Sequence, residues 1–358
     1  MRDQQGREPG LGLKTERLQI SDLARAAELL RAGGTVAFPT ETVYGLGANA
    51  LDSEAVAKIF LAKQRPAWDP VIVHVEGHAM LERVAEVPPG DAGRVVARLM
   101  EAFWPGPLTL LLPRTAAVPD SVTAGRPLVG VRSPAHPVAR ELIRLAGVPV
   151  AAPSANRFGH TSPTTAAHVL VDLDGRIDAV LDGGPTNVGV ESTVLDVAAR
   201  TIYRPGAVTA AMLSRVIGEV VRVVSGVVEK AEADSSTALR NNKGAGAGLA
   251  SPGMGMKHYA PQARLVLVEG QQEMLREVAK YSAAEVGVML PDGWNAGGAG
   301  VAWRWGPWND AETLARLLFA GLRELDERGV KTIICPVPTM NGLGDALRDR
   351  LGKAARAT

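Results

Sequence analysis

The chain has 358 residues, 46% of them hydrophobic, which is more than one average domain needs and points to two cores. Lys and Arg number 39 against 38 Asp and Glu, a formal net charge of +1, so no global field draws nucleic acid and a local basic patch would have to do so. Cys335 is the single cysteine and has no intrachain partner, the N-terminal MRDQQGREPG is polar, and no apolar run approaches the ~20 residues of a membrane span. A disulfide scaffold, a cysteine-ligated metal and membrane insertion are thereby disfavoured, and a cytoplasmic location is expected.

Leu23, Ala26, Ala27 and Leu30 recur at helical spacing between Ser21 and Arg31, and Gly33-Gly34 stop that helix. TVAFPT then reads as a strand. It runs into Phe38-Pro39-Thr40-Glu41-Thr42-Val43-Tyr44-Gly45-Leu46-Gly47, read as a polar, glycine-bearing loop before the next helix. Gly45-Leu46-Gly47-Ala48-Asn49-Ala50 matches the degenerate dinucleotide fingerprint GxGxxA, although the insert Thr-Glu-Thr-Val-Tyr separates it from the strand end. A helix containing AVAKIFLA leads to Lys63-Gln64-Arg65-Pro66. Its two cations suit either the dipole of a helix end or a phosphate clamp, with Lys as point charge and Arg as planar fork.

VIVHV places His74 in an apolar strand, where a core histidine is the ordinary explanation, and His78 follows without the carboxylates a metal site needs. LTLLLP, LVGVR and VPVAAP are further strands, with a helix from Ala135 to Leu145 before the last. Arg132 ends LVGVR, where it could grip a carboxylate or make an ordinary ion pair. Ser154 and Asn156 follow VPVAAP and could cap a turn or face a ligand. Ser162-Pro163 fits an N-cap and first helical residue, a helix start suited to a phosphate or ribose. DAVLD, STVLDV and TIYRP complete the strands of the first domain.

From Ser225 to Leu249 the apolar period dissolves into a linker, which ends in Ser251-Pro252-Gly253-Met254-Gly255-Met256-Lys257-His258-Tyr259-Ala260-Pro261. A spacer has no need of His-Tyr, so that segment reads as a lid. Beyond it come ARLVLVEG, a helix near Gln272 to Tyr281, EVGVML, a long helix near Ala311 to Glu327, TIICPVP and a helix from Asp345. They form three β-α units of a Rossmann-like domain. There is no GxxxxGK[ST], GxSxG, HExxH or CxxC.

Taken together and in order, FPTETVYGLG, KQRP with IVHV, FWPGPLT, VGVR, APSAN, ESTV, YRPG and SPGM with HYAP resemble the threonylcarbamoyl-AMP synthase family in its long, two-domain form. The resemblance implies an α/β fold, a YrdC-like twisted mixed sheet with a positively lined cavity (residues 15–224), a linker closing over it (225–262) and a small Rossmann-like accessory domain (263–358). It implies an enzyme of nucleotidyl transfer that condenses L-threonine, bicarbonate or CO2 and ATP, with Mg2+, to threonylcarbamoyl-AMP and pyrophosphate. A downstream tRNA threonylcarbamoyl transferase would use the product on tRNAs that read codons starting with A, and weak RNA contact is compatible with this.

Carried over by motif position, Thr42, His74, Arg132, Ala152 and Ser192 would line the threonine pocket. Lys63, Arg65, Asp69, Leu128, Ser154, Asn156, Ser162, Arg204 and Tyr259 would face ATP, with Lys63 and Arg65 acting in catalysis and no protein-bound metal. Asp69 departs from the Lys or Asn common in the family, and Gly255-Met256 stand where some members carry Lys-Tyr. The competing classes are an RNA-binding module using the same basic cavity, a carbamoyl transferase with another acceptor, and a nicotinamide dehydrogenase.

Overall fold

The computed structural model describes residues 12, 14–224 and 259–358. Strands β1 (Glu16–Leu18), β2 (Val36–Phe38), β3 (Gly45–Asn49), β4 (Ile72–His74), β5 (Leu108–Pro113), β6 (Leu128–Arg132), β7 (Val150–Ala151), β8 (Ala179–Leu181), β9 (Thr193–Asp196), β10 (Thr201–Arg204) and β11 (Arg222–Val223) build one mixed sheet in the order 1-8-2-3-7-4-6-5-9-10-11. The strands are short and apolar because both faces are covered. Val36 and Phe38 enter one core with Leu30, Leu142 and Leu181, while Ala37 between them enters the other with Leu46, Ile59 and Val131.

The helices that bound these cores are set by local chemistry. Helix Ser53–Lys63 starts where the Asp52 side chain accepts from the Glu54 and Ala55 amides, and stops where Gln64 turns left-handed at φ 54°. Helix Pro137–Ala146 takes Pro137 in its first turn, ends at Gly147 with φ 65°, and buries Val138, Leu142 and Ile143 beside helix Leu23–Arg31.

Gly45 to Asn49 is not a loop before a helix but strand β3, antiparallel to both β2 and β7. A Cβ on Gly47 would stand 2.7 Å from the Phe38 ring and 2.8 Å from Val150, so glycine is required by cross-strand packing and not by a pyrophosphate. With no strand-turn-helix geometry there, the dinucleotide reading fails.

The second sheet is wholly parallel: β12 (Arg264–Val268), β13 (Val286–Pro291), β14 (Val301–Gly306) and β15 (Thr332–Pro336), in the order 12-15-13-14. Strand β14 was not foreseen. Its AWRW core has little alternation to reveal it, and Trp305 is buried with Nε1 donating to the Leu314 carbonyl.

This half docks directly on the first. Val43 and Val190 belong to the same apolar cluster as Leu314, Leu318 and Phe319 of helix Ala311–Glu327. Gly189, at φ 81°, lies so close that a Cβ there would be 2.4 Å from the Ala315 carbonyl oxygen. Two buried arginines cross the same interface: Arg323 meets Asp172 at 2.6 Å, and Arg350 of helix Leu343–Ala355 meets Glu191 at 2.7 Å. Burying such charges is costly unless each is paired, so these contacts fix the docking geometry more than they add stability.

Candidate active site

Strands β4 and β6 run parallel with His74 opposite Arg132, which brings both side chains to the carboxyl ends of neighbouring strands. The chain leaving β7 passes beside them, held by the Ala152 amide donating to the Ile72 carbonyl at 2.9 Å. A cleft opens there. Its wall includes Arg65, Arg132 and Arg204, with Thr40, Thr42, His74, Ala152, Ser154, Glu191, Ser192 and Tyr259. The expected positive lining is present, with three guanidiniums against the carboxylate of Glu191.

Arg132 is the most firmly oriented of the three. Its Nε donates to the Gly106 carbonyl at 3.1 Å, its Nη1 to Thr42 Oγ1 at 3.0 Å, and its Nη2 lies 2.6 Å from Glu41 Oε1. Thr42 is itself held by a 2.8 Å hydrogen bond with Thr40. A guanidinium has five N–H donors, so further donors stay available for a ligand carboxylate. Burial, with Arg132 beside it, pushes the His74 imidazole down to about 3, so the ring is neutral at physiological pH. His74 Nδ1 is buried and has no hydrogen-bond partner among the described residues, an unmet polar atom in the cleft wall.

Arg204 donates from Nε to the Ser192 carbonyl and from Nη2 to Ser192 Oγ, both at 3.0 Å, and Ser192 Oγ shares a 2.8 Å hydrogen bond with Thr109. Arg65 donates from Nη2 to the Pro70 carbonyl at 2.7 Å and pairs with Asp69 at 3.0 Å. Burial lowers the pKa of both arginines below the usual guanidinium value. The cleft wall thus presents three buried guanidiniums, two of them paired with the neighbouring carboxylates of Glu41 and Asp69, and low exposure strengthens their attraction for anions.

Not every expected residue reaches the cleft. Lys63 is buried behind it, donating from Nζ to the carbonyls of Ser154 and Asn156, and burial beside Arg65 pushes its pKa well down. Asn156 turns Nδ2 to the carbonyls of Arg157 and His160. Ser162 donates to Glu191 at 2.5 Å, and the helix expected to start with it begins at Ala166, capped by Thr165. Asp69 is fully buried against Arg65, so its charge meets a guanidinium before any phosphate. Leu128 opens instead into a separate depression with Val71, Val122 and Gly130. Of the expected lid, Tyr259 is described and lies in the cleft wall, whereas Ser251 to His258 fall outside the described residues.

Sequence reasoning overlooked Thr40, Glu41 and Glu191 as site members, although the first two lie inside FPTETVYGLG and the third inside ESTV. Their signal was the motif itself, since a lone acidic residue in a sequence reads as surface. Among the described residues, no group of three His, Cys, Asp or Glu is placed to hold a metal ion, and no helix is long and apolar enough to cross a membrane.

This fold and this arginine-lined cleft define an α/β enzyme built around anionic substrates. The family described as "Telomere recombination" matches residues 28–206, and the "Threonylcarbamoyl-AMP synthase, C-terminal domain" matches residues 208–356. The chain is 41% identical over 349 residues to the threonylcarbamoyl-AMP synthase of Pyrococcus abyssi, covering 95% of this chain and 96% of that one. It is 42% identical over 351 residues to the synthase of Bacillus subtilis, covering 95% of each. The crystal structure of Pyrococcus abyssi Sua5 complexed with L-threonine superposes with a TM-score of 0.82 at 38% identity, covering 96% of this chain and 98% of that one. The chain belongs to the threonylcarbamoyl-AMP synthase family.

Proposed function

We infer that this enzyme condenses L-threonine, bicarbonate or CO2 and ATP into threonylcarbamoyl-AMP with release of pyrophosphate. The observation that carries the reading is Arg132, a buried guanidinium aimed by Gly106, Thr42 and Glu41 at the carboxyl end of β6, beside a neutral His74. It suits the carboxylate of an amino acid, and the Pyrococcus abyssi relative is described with L-threonine bound. Thr42, Ala152 and Ser192 complete the threonine side of the cleft in this reading. Arg65, Arg204, Ser154 and Tyr259 take the nucleotide side, and Lys63 holds the Ser154–Asn156 backbone in place behind them.

The threonine amine adds to the carbon of CO2 and loses a proton, giving a carbamate. A carbamate oxygen then attacks the α-phosphorus of ATP, a new P–O bond forms, and the bond to the β-phosphate breaks as pyrophosphate leaves. Two anions have to meet, and like charges 4 Å apart repel by about 4 kcal/mol at an effective dielectric of 20. Arg65, Arg132 and Arg204 offset that repulsion with donors already fixed before substrates arrive, so positioning and electrostatics replace a protein nucleophile.

Glu41, Asp69 and Glu191 are each engaged by an arginine, which directs these carboxylates to protein cations. Mg2+ enters as a partner of the ATP phosphates, as part of the substrate. Residues 15–224 serve as the catalytic domain and 263–358 as the accessory domain, joined through 225–262. The product passes to a tRNA-modifying transferase in the cytoplasm.

Pyrophosphate release measured with single omissions of threonine and bicarbonate tests this reading. Release is expected only with all three substrates present, and release independent of the amino acid would refute it.

A further inference from the structure

We propose that Arg350, carried by helix Leu343–Ala355 of the C-terminal half, is a positioning residue for the cleft: it holds and neutralises the Glu191 carboxylate so that the wall stays attractive to ATP. The proposal rests on the synthase reading above. Glu191 is the one carboxylate among the residues lining the cleft, and it comes from the first domain. Left alone, it would confront the triphosphate with a like charge at a buried position, where such repulsion is strong.

Arg350 is buried, 1% exposed, and is itself outside the cleft wall. Its Nε lies 2.7 Å from Glu191 Oε2, and its Nη2 donates to the Glu191 carbonyl at 3.4 Å. The other carboxylate oxygen, Oε1, accepts from Ser162 Oγ at 2.5 Å, so both oxygens are turned to protein donors. Burial alone would raise the Glu191 pKa, but Arg350 and Arg204 outweigh it and hold the carboxyl below its usual range. The guanidinium is positioned in turn by Asp349, 2.6 Å from Nη1, which also pairs with Lys353 at 2.8 Å.

The same guanidinium lies 5.3 Å from the centroid of the Tyr259 ring, which stacks on Phe319 at 5.7 Å and 25°. Tyr259 lines the cleft as well. One side chain of the accessory half thus supports two wall residues, a link that runs from the last helix to the nucleotide side. Arg323 supplies an internal comparison. It crosses the same domain interface, pairing with Asp172 at 2.6 Å and donating to the backbone carbonyls of Thr161 and Ser162, and neither Arg323 nor Asp172 lines this cleft.

The test is steady-state kinetics of threonine- and bicarbonate-dependent pyrophosphate release on the full chain. Arg350→Met is expected to raise KM for ATP about ten-fold while KM for threonine moves less than about two-fold, because the uncovered charge opposes the nucleotide. Arg323→Met loses a docking pair at the same interface, with its donors to the Thr161 and Ser162 carbonyls but without removing the cation beside Glu191, and is expected to leave KM for ATP within about two-fold. The double variant Glu191→Gln/Arg350→Met removes the carboxylate together with its partner and is expected to recover KM for ATP to within about three-fold of wild type, the remainder reflecting lost support of Tyr259.

If Arg350→Met does not fold, Arg350→Lys keeps the charge without the planar fork and is expected to raise KM for ATP about three-fold. Equal effects of Arg350→Met and Arg323→Met, no recovery in the double variant, or an unchanged Arg350→Lys would each overturn the proposal and leave the synthase reading intact. A wild type without threonine- and bicarbonate-dependent release overturns both.

Discussion

Nη2 of Arg132 lies 2.6 Å from Oε1 of Glu41, so the cleft holds a guanidinium whose aim is set by a carboxylate before any substrate binds. Removing the arginine has two separable consequences. Arg132→Ala leaves Glu41 buried without its counter-charge and is expected to cost about 3–5 kcal/mol of stability. It is also expected to raise KM for threonine by about a hundred-fold, since the carboxylate loses its charged anchor. Chemical denaturation checks the first and threonine titration of pyrophosphate release the second. Glu41→Gln/Arg132→Ala should restore stability and leave the kinetic defect.

Ser192 joins Thr109 to Arg204 through a single hydroxyl. Ser192→Ala strips Arg204 of one acceptor and is expected to lower kcat/KM for ATP by about ten-fold, worth about 1.4 kcal/mol. Stability should fall by no more than about 1–2 kcal/mol, because the Ser192 carbonyl still accepts from Arg204 Nε. Initial-rate kinetics with varied ATP, beside a urea melt, separate the two.

Burial and Arg132 lower the His74 pKa to about 3 from an ordinary 6.5. The unfolded chain therefore binds a proton at His74 that the folded chain refuses across that interval, so stability falls as pH drops from 6.5 towards 3. The slope from this group approaches about 1.4 kcal/mol per pH unit within the window and vanishes above it. Denaturation of wild type and His74→Gln as a function of pH is the check, the variant losing that part of the acid sensitivity.

Gly189 stands at φ 81° with space for no side chain against Ala315 and Arg316. Gly189→Ala combines backbone strain with a 2.4 Å collision and is expected to weaken domain docking by about 2–4 kcal/mol. Two separated thermal transitions in place of one would report it, together with faster proteolysis of the C-terminal half.

Much of the fold was legible because apolar β-branched runs carry their own signal. LTLLLP and LVGVR correspond residue for residue to β5 and β6, and the helix expected near Ala311 to Glu327 forms there. Strand β3 was not legible, since its glycines serve Phe38 and Val150 on neighbouring strands and no local pattern announces that. The cleft was legible at Thr42, Arg65, His74, Arg132, Ala152, Ser154, Ser192, Arg204 and Tyr259, all of which line it. It was opaque at Lys63, Asn156 and Ser162, where a buried backbone or carboxylate claims the polar group. Arg350 was beyond reach for the same reason in reverse: an arginine in a charged helix reads as solvated surface until a second domain covers it.

The most direct measurement is mass spectrometry of the nucleotide product formed from ATP, L-threonine and carbon-13 bicarbonate. A single adenylate carrying threonine and one labelled carbon, appearing in step with pyrophosphate, is the expected result. Formation of ADP, of unlabelled threonyl-AMP, or of AMP without a threonine adduct would contradict the assignment.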